Sequence, residues 1–239
     1  MKNWLSRTEL LIGHEVLAAF SRIRVAIIGL GGVGGPVAEA LCRAGIENFL
    51  LMDNDYIEPT NLNRQIFATL GTIGQKKCNV AKSRLESINP HVVCEAKDIF
   101  YLPETRHEVF SYSPHIIIDA IDTVTAKLDL IETATTIGIP IISSMGTGNR
   151  LHPEMLQTGF IEDTVGYGCG LARVMRRELK KRNISGVRVL YSREQPQKIS
   201  FSPDSPKGRH SPGSISFVPP VAGYMIAAEV MRMITECDV

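Results

Sequence analysis

Residues 24–34 constrain this chain more than any other stretch. The run Val25-Ala26-Ile27-Ile28 is apolar, Gly29-Leu30-Gly31-Gly32-Val33-Gly34 follows at once, and an Ala- and Leu-rich pattern then runs on to Cys42. This predicts a strand over 25–28, a glycine turn, a helix over 33–42 and a second strand over 49–52, a βαβ unit. In that context Gly29 permits a tight turn, Gly31 lets the main chain approach a phosphate, and the N–H groups of the helix start point at the anion. Asp53 ends the second strand about 20 residues further on, where a carboxylate accepts from ribose hydroxyls. Gly29, Gly31, Gly32, Gly34 and Asp53 together predict a nucleotide site, without separating NAD, FAD, SAM and ATP.

The alternation continues with a helix over 76–88, strands over 92–94 and 116–118, a helix over 124–137 and a strand over 139–142. Such a pattern predicts an α/β fold, a Rossmann-like mostly parallel sheet with helices on both faces. Beyond Met145 a strand over 156–161, a basic helix over 171–182 and a strand over 187–191 read as a C-terminal sheet extension. Residues 192–213, dense in Pro, Ser, Lys and Gly, read as a long loop. The apolar stretch 218–234 opens with Pro219-Pro220 and carries Glu229 and Arg232, so a packed amphipathic helix is expected there rather than a membrane span.

With 239 residues, 44% of them hydrophobic and 21% charged, the composition suits one large domain and excludes a disordered chain. The 26 Lys+Arg against 25 Asp+Glu leave a net charge of +1, so any polyanion site must arise from local clustering. The five cysteines, Cys42, Cys78, Cys94, Cys169 and Cys237, include no Cys-x-x-Cys pair, which argues against a disulfide framework or a cysteine zinc site. The first residues meet charge before any apolar signal core forms, so a reducing cytoplasm is the expected compartment.

The run Asp53-Asn54-Asp55-Tyr56-Ile57-Glu58-Pro59-Thr60-Asn61-Leu62-Asn63-Arg64-Gln65, followed by Gly74-Gln75-Lys76-Lys77, narrows the nucleotide. A dehydrogenase has no chemical need for such a crowd of amides and cations after the ribose carboxylate. A triphosphate does, because departing pyrophosphate needs cations and directional donors. Asp122 would emerge after the fourth strand at the carboxyl end of the sheet, where a carboxylate holds Mg²⁺ directly or through waters. Plainer roles exist for the same residues: Thr60 and Asn61 as turn caps, Asp122 as a helix N-cap, Lys76, Lys77 and Arg7 as solvated charges.

At these residues the chain resembles the ubiquitin-activating-like adenylating enzymes, the family that includes ThiF and MoeB. The resemblance covers a core of about residues 22–146 and implies ATP and Mg²⁺ as cofactors. It implies nucleotide contacts from Asp53, Asp55, Asn63, Arg64, Gln65 and Lys77, with Lys76 in the adjacent register. Asp122 matches the Mg²⁺ and pyrophosphate aspartate. Arg7, in Ser6-Arg7-Thr8-Glu9, matches an arginine that reaches the partner subunit's site, which implies a homodimer with Arg7, Arg64, Lys77 and Asp122 as its catalytic set.

More narrowly, residues 4–13, 119–127, 144–150, 172–182 and 213–223 resemble the tRNA threonylcarbamoyladenosine dehydratase branch of that family. With these the resemblance covers nearly the whole chain, which reads as a single ThiF-type adenylating domain, 1–239, with a substrate- and tRNA-facing part over about 147–239. It implies ATP-dependent cyclisation of N6-threonylcarbamoyladenosine in tRNA. Adenylation of a ubiquitin-like sulfur carrier is the alternative, with a sulfur-relay or carrier partner, and an NAD-binding oxidoreductase or sensor the weaker one. The Cys-x-x-Cys zinc pairs of many relatives are missing, so no zinc is expected; Cys169, in the departing Gly166-Tyr167-Gly168-Cys169-Gly170, is the one cysteine suspected of exposed chemistry, with a non-catalytic role the favoured reading. Arg173, Arg176, Arg177 and Lys180 fall at i, i+3, i+4 and i+7 and, with Lys181, form a basic face suited to tRNA phosphates. Arg150, Arg188, Lys207 and Arg209 are expected to extend it.

Overall fold

The computed structural model describes residues 4–198 and 212–236. In chain order its helices and strands are α1 (Ser6–Ile12), α2 (His14–Phe20), β1 (Arg24–Ile28), α3 (Gly34–Ala44), β2 (Asn48–Met52), α4 (Lys77–Ile88), β3 (Val93–Lys97) and α5 (His107–Phe110). They continue with β4 (Ile116–Asp119), α6 (Val124–Ile137), β5 (Ile141–Ser144), β6 (Leu156–Phe160), α7 (Gly170–Lys181), β7 (Arg188–Ser192) and α8 (Val218–Glu236). Seven strands form one sheet in the order β3-β2-β1-β4-β5-β7-β6 among the described residues, parallel except for the antiparallel β6–β7 pair. The extension expected after Met145 is that last pair, joined through α7.

Both faces of the sheet are covered, which is why its central strands are apolar at successive positions rather than alternating. On one face Val25 and Ile27 of β1 pack with α3, α4 and α8. On the other, Ala26 and Ile28 pack with α6 and α7. The long C-terminal helix lies so close to α3 that a Cβ at Gly223 would stand 2.5 Å from the Val33 carbonyl oxygen. Among the described residues no helix is long and apolar enough to cross a membrane.

Several boundaries differ from expectation for physical reasons. The strand expected over 139–142 is β5 at Ile141–Ser144, because Gly138 adopts a left-handed cap and the Ile139 N–H donates back to Ala134, spending Ile139 on the end of α6. The strand expected over 92–94 is β3 at Val93–Lys97, a sheet-edge strand whose half-polar sequence hides its length. The short α1, α2 and α5 were not expected from the sequence pattern. Of the expected loop, Ser192 closes β7, and residues 199–211 lie outside the described residues, with Lys207 and Arg209 among them.

Candidate functional site

The strand order reverses at β1, which is flanked by β2 and β4, and a crevice of about 500 Å³ opens at their carboxyl ends. Its inner wall is the glycine turn. Gly29 has φ +92°, and a Cβ there would fall 2.7 Å from the Ala120 carbonyl oxygen; at Gly34 it would fall 1.8 Å from the Gly29 carbonyl oxygen. Gly29, Gly31 and Gly32 line the crevice, whereas Gly34 does not and serves the packing of the turn.

Asp53 organises this turn from below. Its Oδ2 accepts the Leu30 N–H at 2.7 Å and its Oδ1 accepts the Asp55 N–H at 2.8 Å. Burial raises its carboxyl above the ordinary range, against the opposing pull of Lys77 and these two N–H groups. Asp55 also lines the crevice and pairs with the Lys77 Nζ at 2.7 Å.

The two lysines separate cleanly. Lys77 is 6% exposed and lines the crevice. Lys76 turns away to pair with Asp98 at 2.9 Å and to cover the Tyr56 ring. Arg64 and Gln65 line the crevice too, with the Arg64 guanidinium donating to the Thr60 carbonyl at 2.9 Å and to Asn63 Oδ1 at 2.8 Å. Asn63 does not line it; its amide donates to the Ser214 carbonyl at 3.0 Å, tying this loop to the start of α8. Asn61 Oδ1 accepts the Glu58 N–H at 3.1 Å, so Asn61 caps its turn while also lining the crevice.

Asp122 is exposed and lines the crevice on the β4 side. It is not the N-cap of α6: that position is Thr123, which makes no side-chain capping bond. Arg7 lies on α1, exposed and outside this chain's own crevice.

Tyr101, Thr147, Gly148 and Pro219 also line the crevice, together with Ser214, and sequence reasoning missed the first four as site residues. So too with Lys127, which looks like an ordinary helix lysine in the sequence but is wholly buried against Asp119 directly behind Ala120 and Ile121.

The basic helix is α7, with Ala172, Met175 and Leu179 buried and Arg173, Arg177, Lys180 and Lys181 exposed. Arg176 is half-buried and anchored, donating to the Thr164 carbonyl at 2.9 Å. Arg177 and Lys181 both reach Glu178. Two expected extensions of the patch fail. Arg150 is 3% exposed and donates to the Glu194 carbonyl at 2.7 Å, and Arg188 pairs with Glu229 at 2.6 Å. Cys169 is buried, and its Sγ caps α7 by accepting the Ala172 N–H at 3.4 Å, so the exposed chemistry suspected of it has no surface to act from.

The ThiF family matches residues 5–239. The chain belongs to the ThiF family. Within it, the chain is 39% identical over 241 residues to the tRNA threonylcarbamoyladenosine dehydratase of Bacillus subtilis, covering 97% of this chain and 94% of that one. A solved structure of the Escherichia coli tRNA N6-threonylcarbamoyladenosine dehydratase in complex with ATP superposes with TM-score 0.86 at 27% identity, covering 98% of this chain and 94% of the other. The same enzyme solved with AMP gives TM-score 0.86 at 28% identity over all of this chain and 97% of that one. The crevice here is built mainly from the stretch β1 to the start of α4, and closed by the segment after β3, the β4 and β5 exits, the residues before α8 and the first turn of that helix.

Proposed function

We propose that this ThiF-family chain is an ATP-dependent tRNA threonylcarbamoyladenosine dehydratase. The observation that carries the reading is the 39% identity to the Bacillus subtilis dehydratase along nearly the whole of both chains. The crevice supplies the chemistry that reading needs: a ribose acceptor in Asp53, and Arg64, Gln65 and Lys77 converging where a triphosphate would lie.

The threonyl carboxylate attacks the α-phosphorus of ATP, forming a C–O–P linkage as the bond to pyrophosphate breaks. Arg64 and Lys77 take up the charge that develops on the leaving oxygens. A urea nitrogen of the same side chain then attacks the activated carbonyl carbon, AMP departs with the carboxyl oxygen, and the nitrogen gives up its proton. Closure of a five-membered ring within one side chain already has a high effective molarity, so no protein nucleophile is required. The burial of Cys169 agrees with that.

Mg²⁺ fits the donor set. Asp122 is an exposed carboxylate of the crevice with no cation on it among the described residues, while the other exposed one, Asp55, pairs with Lys77; that suits an ion keeping most of its waters and taking its other ligands from phosphate. When bound there it would supply charge neutralisation of the leaving pyrophosphate.

The working unit in this reading is a cytoplasmic homodimer in which Arg7 serves the other subunit's crevice. Support comes from α1, which has no buried residue and exposes Leu10 and Leu11 at 87% each. The chain acts as one adenylating unit, with a nucleotide-binding core over about 22–146 and a substrate- and tRNA-facing part over about 147–239 that also lends Thr147, Gly148, Ser214 and Pro219 to the crevice wall. Arg173, Arg177, Lys180 and Lys181 on α7 give an otherwise neutral protein its cationic face toward RNA.

The test is ATP-dependent release of AMP and pyrophosphate with tRNA bearing the threonylcarbamoyl group, against unmodified tRNA, with mass analysis of nucleosides for loss of one water. Stimulation by the modified tRNA together with that loss is expected. Pyrophosphate exchange appearing only with a Gly-Gly-ended carrier protein would overturn the reading.

A further inference from the structure

A second hollow, of about 770 Å³, lies along α7, between that helix, the Ile161–Thr164 turn and residues 183–185. Its floor is apolar, made by Ile161, Leu179 and Ile184, with Val165 standing 64% exposed at the rim. Its wall is cationic. Arg176 is pinned by its bonds to the Thr164 carbonyl and to Thr164 Oγ1, at 2.9 and 2.5 Å, which holds its planar guanidinium in one place. Arg173, Arg177 and Lys180 surround the mouth, and the side chains of Arg173 and Lys180 have no protein partner among the described residues.

The one acid lining the hollow among the described residues, Glu162, is exposed and accepts the Gly186 N–H at 3.1 Å. Glu178 on the same helix is occupied by Arg177 and Lys181. The hollow therefore faces solvent with an excess of positive charge over a greasy floor.

We infer that this hollow seats one unstacked nucleotide of the RNA strand, its base on the apolar floor and against the Arg176 plane, its flanking phosphates on Arg173, Arg177 and Lys180. A face that only tracks phosphates needs cations but no apolar hollow. A base swung out of its stack needs both, and a guanidinium plane is one of the surfaces it lies on. Continuity with the active crevice supports the assignment. The N-terminal end of α7 abuts the β5 exit, where a Cβ at Gly146 would touch Cys169 Sγ at 3.2 Å, and the next residues, Thr147 and Gly148, line the nucleotide crevice. From Arg173 to Lys180 the helix rises about 10 Å, a length over which a strand of RNA lies along the hollow.

The inference rests on the tRNA reading above, and the experiment separates the two. Val165→Glu and Arg173→Glu are compared with Lys82→Glu, a charge reversal at a half-buried lysine on α4, which packs on the opposite face of the sheet. With a modified anticodon stem-loop as substrate, each of the first two raises KM for RNA about tenfold without moving KM for ATP, and the Lys82 variant does not. In parallel, an unmodified stem-loop carrying 4-thiouridine is photo-crosslinked to the wild-type protein, and the crosslinks fall at Val165 and Ile184. If Arg173→Glu raises KM while Val165→Glu does not, the face tracks phosphates and the base seat is overturned. Crosslinks confined to other surfaces overturn it as well. If the wild-type protein crosslinks through the hollow yet never dehydrates modified tRNA, the base seat stands and the proposed reaction falls.

Discussion

The Nζ of Lys127 sits 2.9 Å from Asp119 Oδ2, and neither side chain has any solvent exposure. Ser143 Oγ donates to the same carboxylate at 2.6 Å, and the Ile121 N–H donates to its other oxygen at 3.1 Å. Lys127 closes the set by donating to the Ile121 carbonyl at 3.0 Å. The pair thus fixes the turn 120–122, whose outer side carries Asp122 and whose Ala120 carbonyl abuts Gly29. Removing one partner leaves a buried charge uncompensated, at a cost of about 3–5 kcal/mol. Lys127→Met is expected to lose about that much stability in urea titrations, and Asp119→Asn combined with Lys127→Met to recover most of it. Strict additivity of the two losses would count against the pairing.

Asp53 predicts the acid side of the pH profile. It accepts the Leu30 N–H, and the role proposed for it, accepting ribose hydroxyls, belongs to the carboxylate form; burial raises the pH at which that form is lost. KM for ATP should therefore climb as pH falls through a value above the ordinary aspartate figure of about 3.9. The stability term has the opposite sign: a carboxyl raised in the folded state favours folding at pH below its unfolded value, and that contribution is lost as pH rises through the folded value. Asp53→Asn should raise KM for ATP at neutral pH and flatten the acid limb. An acid limb unchanged in Asp53→Asn would assign it to another group.

How far the sequence could be read follows from distance along the chain. Gly29, Asp53, Arg64 and Lys77 belong to one continuous stretch, from the end of β1 through α3 and β2 to the start of α4, whose strand-turn-helix-strand pattern brings their positions to one end of the sheet, so their convergence is legible. Tyr101, Thr147, Ser214 and Pro219 reach the same crevice from distant elements and carry no local mark. Lys127 and Arg150 mislead for a single reason: a sequence displays charge but not burial, and both are buried only because a carboxylate and a backbone carbonyl from other elements meet them. The helices α1 and α2, of 7 residues each, are too short to leave a periodic signature.

Thiol chemistry should be silent in the folded protein at Cys42 and Cys94. Burial pushes Cys42 up to about 11 and Cys94 up to about 12, which leaves almost no thiolate near neutral pH. Iodoacetamide labelling followed by peptide mapping should leave both unmodified until denaturant is added. Cys169→Ser keeps an oxygen acceptor at the N-cap of α7 and should retain both stability and cyclisation. Loss of turnover with adenylation intact would instead place the Cys169 thiol in the reaction.

In the proposed homodimer, Arg7 offers a test of subunit cooperation that needs no structure of the assembly. Arg7→Ala and Lys77→Ala should each abolish activity alone, because each removes a cation from every site. Mixed after co-refolding, half of the dimers are hybrids under random pairing. In a hybrid, one crevice carries both lesions and the other carries neither, if Arg7 acts across the two-fold interface. About a quarter of wild-type sites should then be restored, with turnover per intact site unchanged. If Arg7 acted within its own chain, every crevice in every pairing would keep one lesion, and mixing would restore nothing.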